Sequence, residues 1–272
     1  SRFTPPADIR LTIEGAEIRG ERPVIQCAIW GLGIYSETKL PLDKISNTDI
    51  FIHDSKVVRI DQSSLHSALE LLRNSNVETL DNVTLRQYID IVRNDSMGIV
   101  DYSTLQNISL NHLKDIMGPV KSSLFEGTPY DYQMDGIRWM WLLCKEELGL
   151  ILGDEMGLGK TFQIIFLFCL FKERLDKPSL VVCPATLVKN WSAEIRKFAP
   201  TLRIYEHKGP DRYGTPEKIS NYDVVITSYD TLISRGEFDY LIGRIEWSLV
   251  VLDEAQAIKN PEARRSIVVK NL

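Results

Sequence analysis

Apolar positions in the first sixty residues recur every second residue or gather in short runs. Ile9-Arg-Leu-Thr-Ile13, Val24-Ile-Gln-Cys-Ala-Ile-Trp30 and Ile50-Phe-Ile52 sit between Gly, Pro and Asp, the pattern of strands. The period then lengthens. Leu65, Ala68, Leu69 and Leu72 form one helical stripe, and Leu85, Tyr88, Ile89 and Val92 form another, each preceded by a Ser or Thr able to cap. A third helix is expected over residues 103–117. This region offers no identifiable chemistry, so the pattern supports a packed accessory domain of mixed α+β character.

Gly118-Pro119 and Phe125-Glu-Gly-Thr-Pro-Tyr130 punctuate the chain near residue 120. The expected division is therefore an accessory domain over 1–120 and a second domain over 121–272. In the second, strand-length runs at 148–152, 179–183, 202–205, 223–227 and 248–252 alternate with helical spacing. Such alternation implies an α/β domain, a parallel sheet with helices on both faces. Ile137, Met140, Trp141 and Cys144 are core by spacing, as are Leu187, Trp191, Ile195 and Phe198.

Composition narrows the class. Apolar residues make up 44% and charged residues 25%, ordinary values for a soluble globular chain of 272 residues. The longest apolar stretch, 164–171, is too short to cross a bilayer, so no membrane role is expected. The opening Ser1-Arg-Phe-Thr-Pro-Pro shows no signal sequence and lacks methionine, which suggests a trimmed chain. Four cysteines without paired spacing fit a reducing compartment, the cytoplasm. The four histidines are dispersed and form no metal-ligand pattern. A net charge of −5 gives no global attraction to nucleic acid, so any DNA contact must be local.

The candidate chemistry begins at Gly153-Asp-Glu-Met-Gly-Leu-Gly-Lys-Thr161. An apolar run, a glycine-bearing turn and a helix opening on Lys-Thr suit a nucleotide's phosphates. Backbone N–H groups around Gly157 and Gly159 can converge on the β-phosphate, helped by the helix N-terminus. Lys160 would reach the β- and γ-phosphates, and the Thr161 hydroxyl would ligate Mg²⁺. Asp154 stands where the general loop pattern expects glycine, and a chance Gly-Lys-Thr is the competing explanation.

Residues 248–252 end in Asp253-Glu254-Ala255-Gln256. Acidic residues at the carboxyl end of a parallel strand sit where open α/β sheets bind ligands. Asp253 would hold Mg²⁺ through water, and Glu254 would orient and deprotonate the attacking water; an ordinary helix cap is the alternative. Gln133, upstream of the loop, could pair with an adenine edge or simply face solvent. Asn190 and Lys197 share a helix face suited to a phosphate backbone, with Lys189 and Arg196 nearby; a solvated basic face explains the same charges. Thr227 and Ser228 end a strand with two hydroxyls, apt for phosphate contacts or for capping a helix.

Taken in order, Gln133 with Gly136 and Trp139, Asp154 to Thr161, Pro184 with Asn190-Trp191 and Glu194, Thr227-Ser-Tyr229, and Asp253-Glu-Ala-Gln256 with Lys259-Asn260 resemble the first ATPase lobe of the Swi/Snf family, helicase-like motors of superfamily two. The resemblance covers residue 125 onward and not the first 120. It implies a RecA-like lobe and a DNA-stimulated ATPase that tracks along duplex DNA and remodels or displaces bound proteins without separating strands. Its cofactors would be ATP and Mg²⁺. By the same analogy Gln133 reads adenine, Gly157, Gly159, Lys160 and Thr161 hold the phosphates and metal, and Asp253 and Glu254 serve metal and water. Thr186, Asn190, Thr227 and Ser228 would face the DNA backbone. Asp-Glu-Ala-Gln followed by Ile-Lys-Asn-Pro looks like bacterial members, which would place the protein on a nucleoid.

Two departures qualify the resemblance. Thr128-Pro-Tyr-Asp131 replaces the family's usual Leu-Arg-Pro before Tyr132-Gln133. The chain also stops at Leu272, before the second lobe of the same polypeptide and its arginine finger. Such a finger contributes about 10³- to 10⁵-fold to turnover in related systems, so the piece alone is expected to hydrolyse ATP barely. Rival readings are an RNA helicase, against which Gln256 and Asn190-Trp191 speak, the motor of a restriction system, and a non-enzymatic interaction module with a vestigial site.

Overall fold

The computed structural model describes residues 8–19, 22–33, 36–40, 50–53, 56–107, 120–155, 157–175, 177–209, 212, 214–234 and 236–272. The chain divides into two compact units, Ser1–Pro119 with Arg138–Leu150, and Val120–Ile137 with Ile151–Leu272.

In the first unit β1 (Asp8–Arg19) and β2 (Arg22–Gly33) pair antiparallel, with a register shift between Ile13 and Gly15. Ile9, Leu11 and Ile13 are buried, the period-two face that the sequence displays. β3 (Ser36–Leu40) pairs with the other side of β2, and β4 (Ile50–His53) with β5 (Lys56–Arg59) forms a separate hairpin. Helix α1 spans Gln62–Asn74, β6 (Val83–Thr84) adds to β2, and α2 spans Leu85–Asn94.

The first helix is capped by Asp61, not by a Ser or Thr: its Oδ2 accepts from the Ser64 backbone N–H at 2.8 Å. Hydrogen bonds from Ser63 and Ser64 bring this carboxyl down to about 2. Thr84 caps α2 as expected, in a reciprocal box with Gln87. Leu71, not Leu69, completes the buried stripe of α1. Of the expected helix at 103–117, the described part is a 3₁₀ segment, Tyr102–Asn107, and residues 108–117 lie outside the described residues.

The second unit begins with α3 (Asp131–Lys145), whose residues from Arg138 onward belong to the first unit, and with α4 (Lys160–Arg174). There follow β7 (Ser179–Cys183), α5 (Val188–Phe198), β8 (Ile204–His207), α6 (Pro216–Ile219), β9 (Val224–Ser228), α7 (Tyr229–Leu232), α8 (Glu237–Tyr240), β10 (Leu249–Leu252) and α9 (Arg264–Val269). The strands pair in parallel in the order β10-β7-β9-β8.

Alternation along the strands feeds two cores. Val181, Cys183, Val224 and Ile226 face Ile165 and Phe168 of α4 and Trp191 and Ile195 of α5. Leu180, Val182 and Val225 face Tyr229, Leu232, Ile242 and Val269 on the other side. The parallel sheet with helices on both faces is thus formed. Each fully buried side chain of this size stabilises by about 1.5–3 kcal/mol, which anchors α4 and α5 to the sheet.

Residues 148–152, expected as a strand, form none, and Ile151 is 88% exposed. An apolar run becomes a strand only where a neighbour supplies the ladder. The run expected at 202–205 pairs two residues later, because the Leu202 N–H bonds Ala199 O and closes the turn after α5.

Candidate nucleotide site

The loop before α4 turns on two left-handed glycines, Gly157 at φ +88° and Gly159 at φ +76°. Gly159 is the N-cap of α4 and no side chain caps the helix, which leaves its first N–H groups to an external acceptor. Added to Gly157, a Cβ would meet nothing within 4 Å, so the backbone angle alone selects glycine there. Lys160 Nζ donates to the carbonyl oxygens of Asp154 at 2.5 Å and Glu155 at 3.1 Å. An ammonium carries three donors, so one stays available for a phosphate. Thr161, next along the helix, is half-buried. Met156 lies outside the described residues.

Gln133 is 6% exposed, which removes the solvent-facing alternative. Its Oε1 accepts from Tyr130 N at 3.1 Å and its Nε2 donates to Leu158 O at 3.2 Å. The amide therefore ties the start of α3 to the phosphate loop, using half of its capacity at each end. Two glycines make room for this junction. A Cβ on Gly159 would lie 2.4 Å from Gln133 Nε2, and one on Gly136 would lie 2.2 Å from Gln163 Oε1. Gln163 is buried, and neither of its amide atoms has a hydrogen-bond partner.

At the carboxyl end of β10, Asp253 is held on every side. Its N–H bonds Val182 O at 2.9 Å, its Oδ1 accepts from Glu254 N at 3.0 Å, and its Oδ2 accepts from Trp191 Nε1 at 2.8 Å. Tyr229 Oη donates to the Asp253 carbonyl at 2.9 Å, and burial, then the Asp253 charge, pushes that phenol up to about 12. Glu254 is exposed and left-handed at φ 52°, followed by a 3₁₀ turn, Ala255–Ile258, with no side-chain cap. The helix-cap alternative for the Asp-Glu pair is therefore not what forms. Gln256 Nε2 donates to Glu254 Oε2.

Mg²⁺ takes oxygen ligands and is commonly held by one or two carboxylates together with substrate phosphates and water. Among the described residues no cluster of three metal-binding side chains occurs, and such a site needs none. Asp253, with each oxygen fixed by one donor and still able to accept another, fits the group.

The residues expected to face DNA separate into two pairs. Thr186, on the 3₁₀ turn Ala185–Leu187, and Asn190 on α5 are exposed. Thr227 is fully buried and donates its hydroxyl to His207 O at 3.0 Å, while Ser228 Oγ caps α7 by accepting from Thr231 N at 3.1 Å. This corrects the expectation for Thr227 and Ser228: their hydroxyls serve the sheet edge and a helix cap, since a buried hydroxyl must find an internal partner. Sequence spacing assigned Trp191 to the core and missed its bond to Asp253. The rule that a buried indole N–H needs an acceptor was the available signal. The buried His207, bonded through Nε2 to Glu237 at 2.7 Å, had no sequence signal at all.

A parallel sheet covered on both faces, a left-handed glycine loop delivering Lys-Thr to a helix N-terminus, and Asp-Glu at a strand's carboxyl end define a RecA-like nucleotide-binding lobe. The model of the SNF2-related domain matches residues 132–272, and the chain belongs to that family. It is 40% identical over 156 residues to the TATA-binding protein-associated factor mot1 of Schizosaccharomyces pombe, across 52% of this chain and 8% of that protein. It is 37% identical to the putative ATP-dependent helicase/translocase YwqA of Bacillus subtilis, across 56% of this chain and 17% of that protein. A solved structure, the Sulfolobus solfataricus SWI2/SNF2 ATPase core in complex with dsDNA, superposes with a TM-score of 0.51 at 37% identity, covering 56% of this chain and 31% of that one. The chain thus spans a minor part of the length of the relatives it matches.

Proposed function

We propose that this chain supplies the nucleotide-binding lobe of an ATP-dependent motor that moves on duplex DNA and remodels or displaces proteins bound there. The observation that carries the reading is the pairing of two features in one lobe: the Gly157–Thr161 loop heading α4, and the doubly hydrogen-bonded Asp253 with exposed Glu254 at the end of β10. The relative solved with duplex DNA supports the choice of nucleic acid.

In this reading Lys160 and the first N–H groups of α4 bind the phosphates, and Thr161 and Asp253 hold Mg²⁺. The ion, when bound, supplies charge neutralisation for the transferring phosphoryl group. Gln133 keeps the loop joined to α3 and retains one donor and one acceptor position for adenine. The Glu254 carboxylate takes the proton of the attacking water at Oε1 or Oε2, and Gln256 orients it. Thr186 and Asn190 present their side chains to the DNA backbone, with Lys189 and Lys197 adding charge.

The test is ATP turnover by the longer protein that contains this lobe, with duplex DNA, single strands, RNA or no nucleic acid, beside Lys160→Ala. Stimulation by duplex that is lost in Lys160→Ala supports the motor. Turnover stimulated only by RNA, or no turnover under any condition, would sink it.

A further inference from the structure

Trp191 is spaced as a core residue, yet its one polar atom reaches the metal carboxylate. The indole is 3% exposed and packs against Phe168 with ring centroids 6.3 Å apart. Its Nε1 stands 2.8 Å from Asp253 Oδ2. An indole N–H only donates, so it can bind the charged carboxylate and cannot follow it if the carboxylate turns away. On the other oxygen Asp253 accepts from Glu254 N, and its backbone is pinned through Val182 O. Two donors, one per oxygen, therefore fix the carboxylate plane and leave one lone-pair direction on each oxygen.

We propose that Trp191 is a positioning residue for Asp253: its buried indole N–H sets the orientation in which the carboxylate meets the metal of a bound nucleotide. The inference rests on the nucleotide reading given above and assigns to Trp191 a role that packing alone does not require. Asp253 is already pointed and freezes no further side-chain rotamers when the metal arrives, which is where preorganised sites gain affinity. The bond also joins α5, which carries exposed Asn190 one residue earlier, to the metal carboxylate. A contact that shifts this helix therefore acts on the carboxylate directly. Tyr229, which follows Ser228 and donates to the Asp253 carbonyl, supplies a second tether from another element.

The test measures ATP affinity of the longer protein that contains this lobe, with Mg²⁺ and in EDTA, for the unsubstituted form, Trp191→Phe, Asp253→Ala and the double variant. Phenylalanine keeps an aromatic ring in the core and removes the N–H. The expected result is a fall of about tenfold in the Mg²⁺-dependent gain in affinity, the scale of one hydrogen bond to a charged group, with affinity in EDTA unchanged. In the Asp253→Ala background, Trp191→Phe has no further effect on that gain. Equal losses with and without Mg²⁺, or effects that add in the double variant, would mean that Trp191 only packs, and the proposal falls. Absence of ATP binding by the unsubstituted longer protein would overturn the nucleotide reading and this inference together. Should Trp191→Phe fail to fold, Asp253→Asn serves: the Trp191 indole N–H resonance must shift, and an unchanged one overturns the proposal.

Discussion

The amide nitrogen of Gln133 occupies the space that a side chain on Gly159 would fill, 2.4 Å from where its Cβ would stand. One element's glutamine thus closes on the other element's glycine, and Leu158 O receives the Gln133 amide N–H. The phosphate loop is therefore shaped by α3 as well as by its own glycines. Gly159→Ala must bear both a left-handed backbone at φ +76° and the displacement of Gln133. Stability is expected to fall by about 1–2 kcal/mol from the backbone alone, read from urea midpoints, with loss of ATP binding. Unchanged ATP affinity would show that the junction does not shape the loop.

Gly136 and Gln163 form the reverse pair, and here too the obstacle is the end of a flexible side chain. Gly136→Ala places a methyl 2.2 Å from Gln163 Oε1 and is expected to destabilise by about 1–3 kcal/mol. Because neither Gln163 amide atom is hydrogen-bonded, Gln163→Ala removes the clash and an uncompensated buried amide. The double variant should recover most of the lost melting temperature. Simple additivity would show that the two residues do not meet.

Asp223 links the end of the turn before β9 to Arg203 and Lys172. Burial raises its carboxyl, but hydrogen bonds from Arg203 and Lys172 outweigh that and hold it below the ordinary carboxylate range. Lys172 Nζ and Arg203 Nη2 each stand 3.0 Å from Oδ1. A folded value below the unfolded one gives stability that is present above about pH 4 and lost as pH falls through the folded value. Both cations reach solvent, so Asp223→Asn should cost about 1 kcal/mol at pH 7, and the gap from the unsubstituted protein should narrow in acid. Melting temperatures recorded from pH 7 to pH 3 check this; a constant gap would assign the loss to packing.

Cys27, Cys169 and Cys183 have thiols pushed up to about 12 by burial, and Cys144 to about 11. A thiol-selective disulfide reagent at pH 8 should leave these four unmodified in the native chain and react after denaturation. Rapid modification of the folded protein would contradict their placement.

Lys189, exposed beside Asn190, tests the DNA-facing assignment of α5. Lys189→Ala should weaken duplex binding at every sequence and lower the slope of log affinity against log salt by about 1. A slope that does not move would place the DNA elsewhere.

Much of this protein is legible in its local sequence pattern. The period-two face of Ile9, Leu11 and Ile13, the stripe of Leu65, Ala68 and Leu72, and the short runs of β7 and β9 follow from local periodicity, which side-chain direction enforces. Gly157 and Gly159 marked a turn in the sequence, and the structure gives both the left-handed backbone that few other residues tolerate. The Lys-Thr and Asp-Glu pairs carry the proposed chemistry, because phosphate and metal restrict residue types.

What the linear pattern left open is what depends on partners distant in sequence. Residues 148–152 carry a strand's composition without a strand's neighbour, and so form none. Thr227 looked outward and points inward, because its hydroxyl found His207 O twenty residues away. Trp191 and Asp253 lie sixty-two residues apart and meet only when β7 and β10 pair in parallel. Residue type and local spacing settle which side chains are chemically suited to a role and in which local conformations they stand. Tertiary structure decided which of them meet, because a hydrogen bond needs both partners within about 3 Å, and only the packed sheet brings them there.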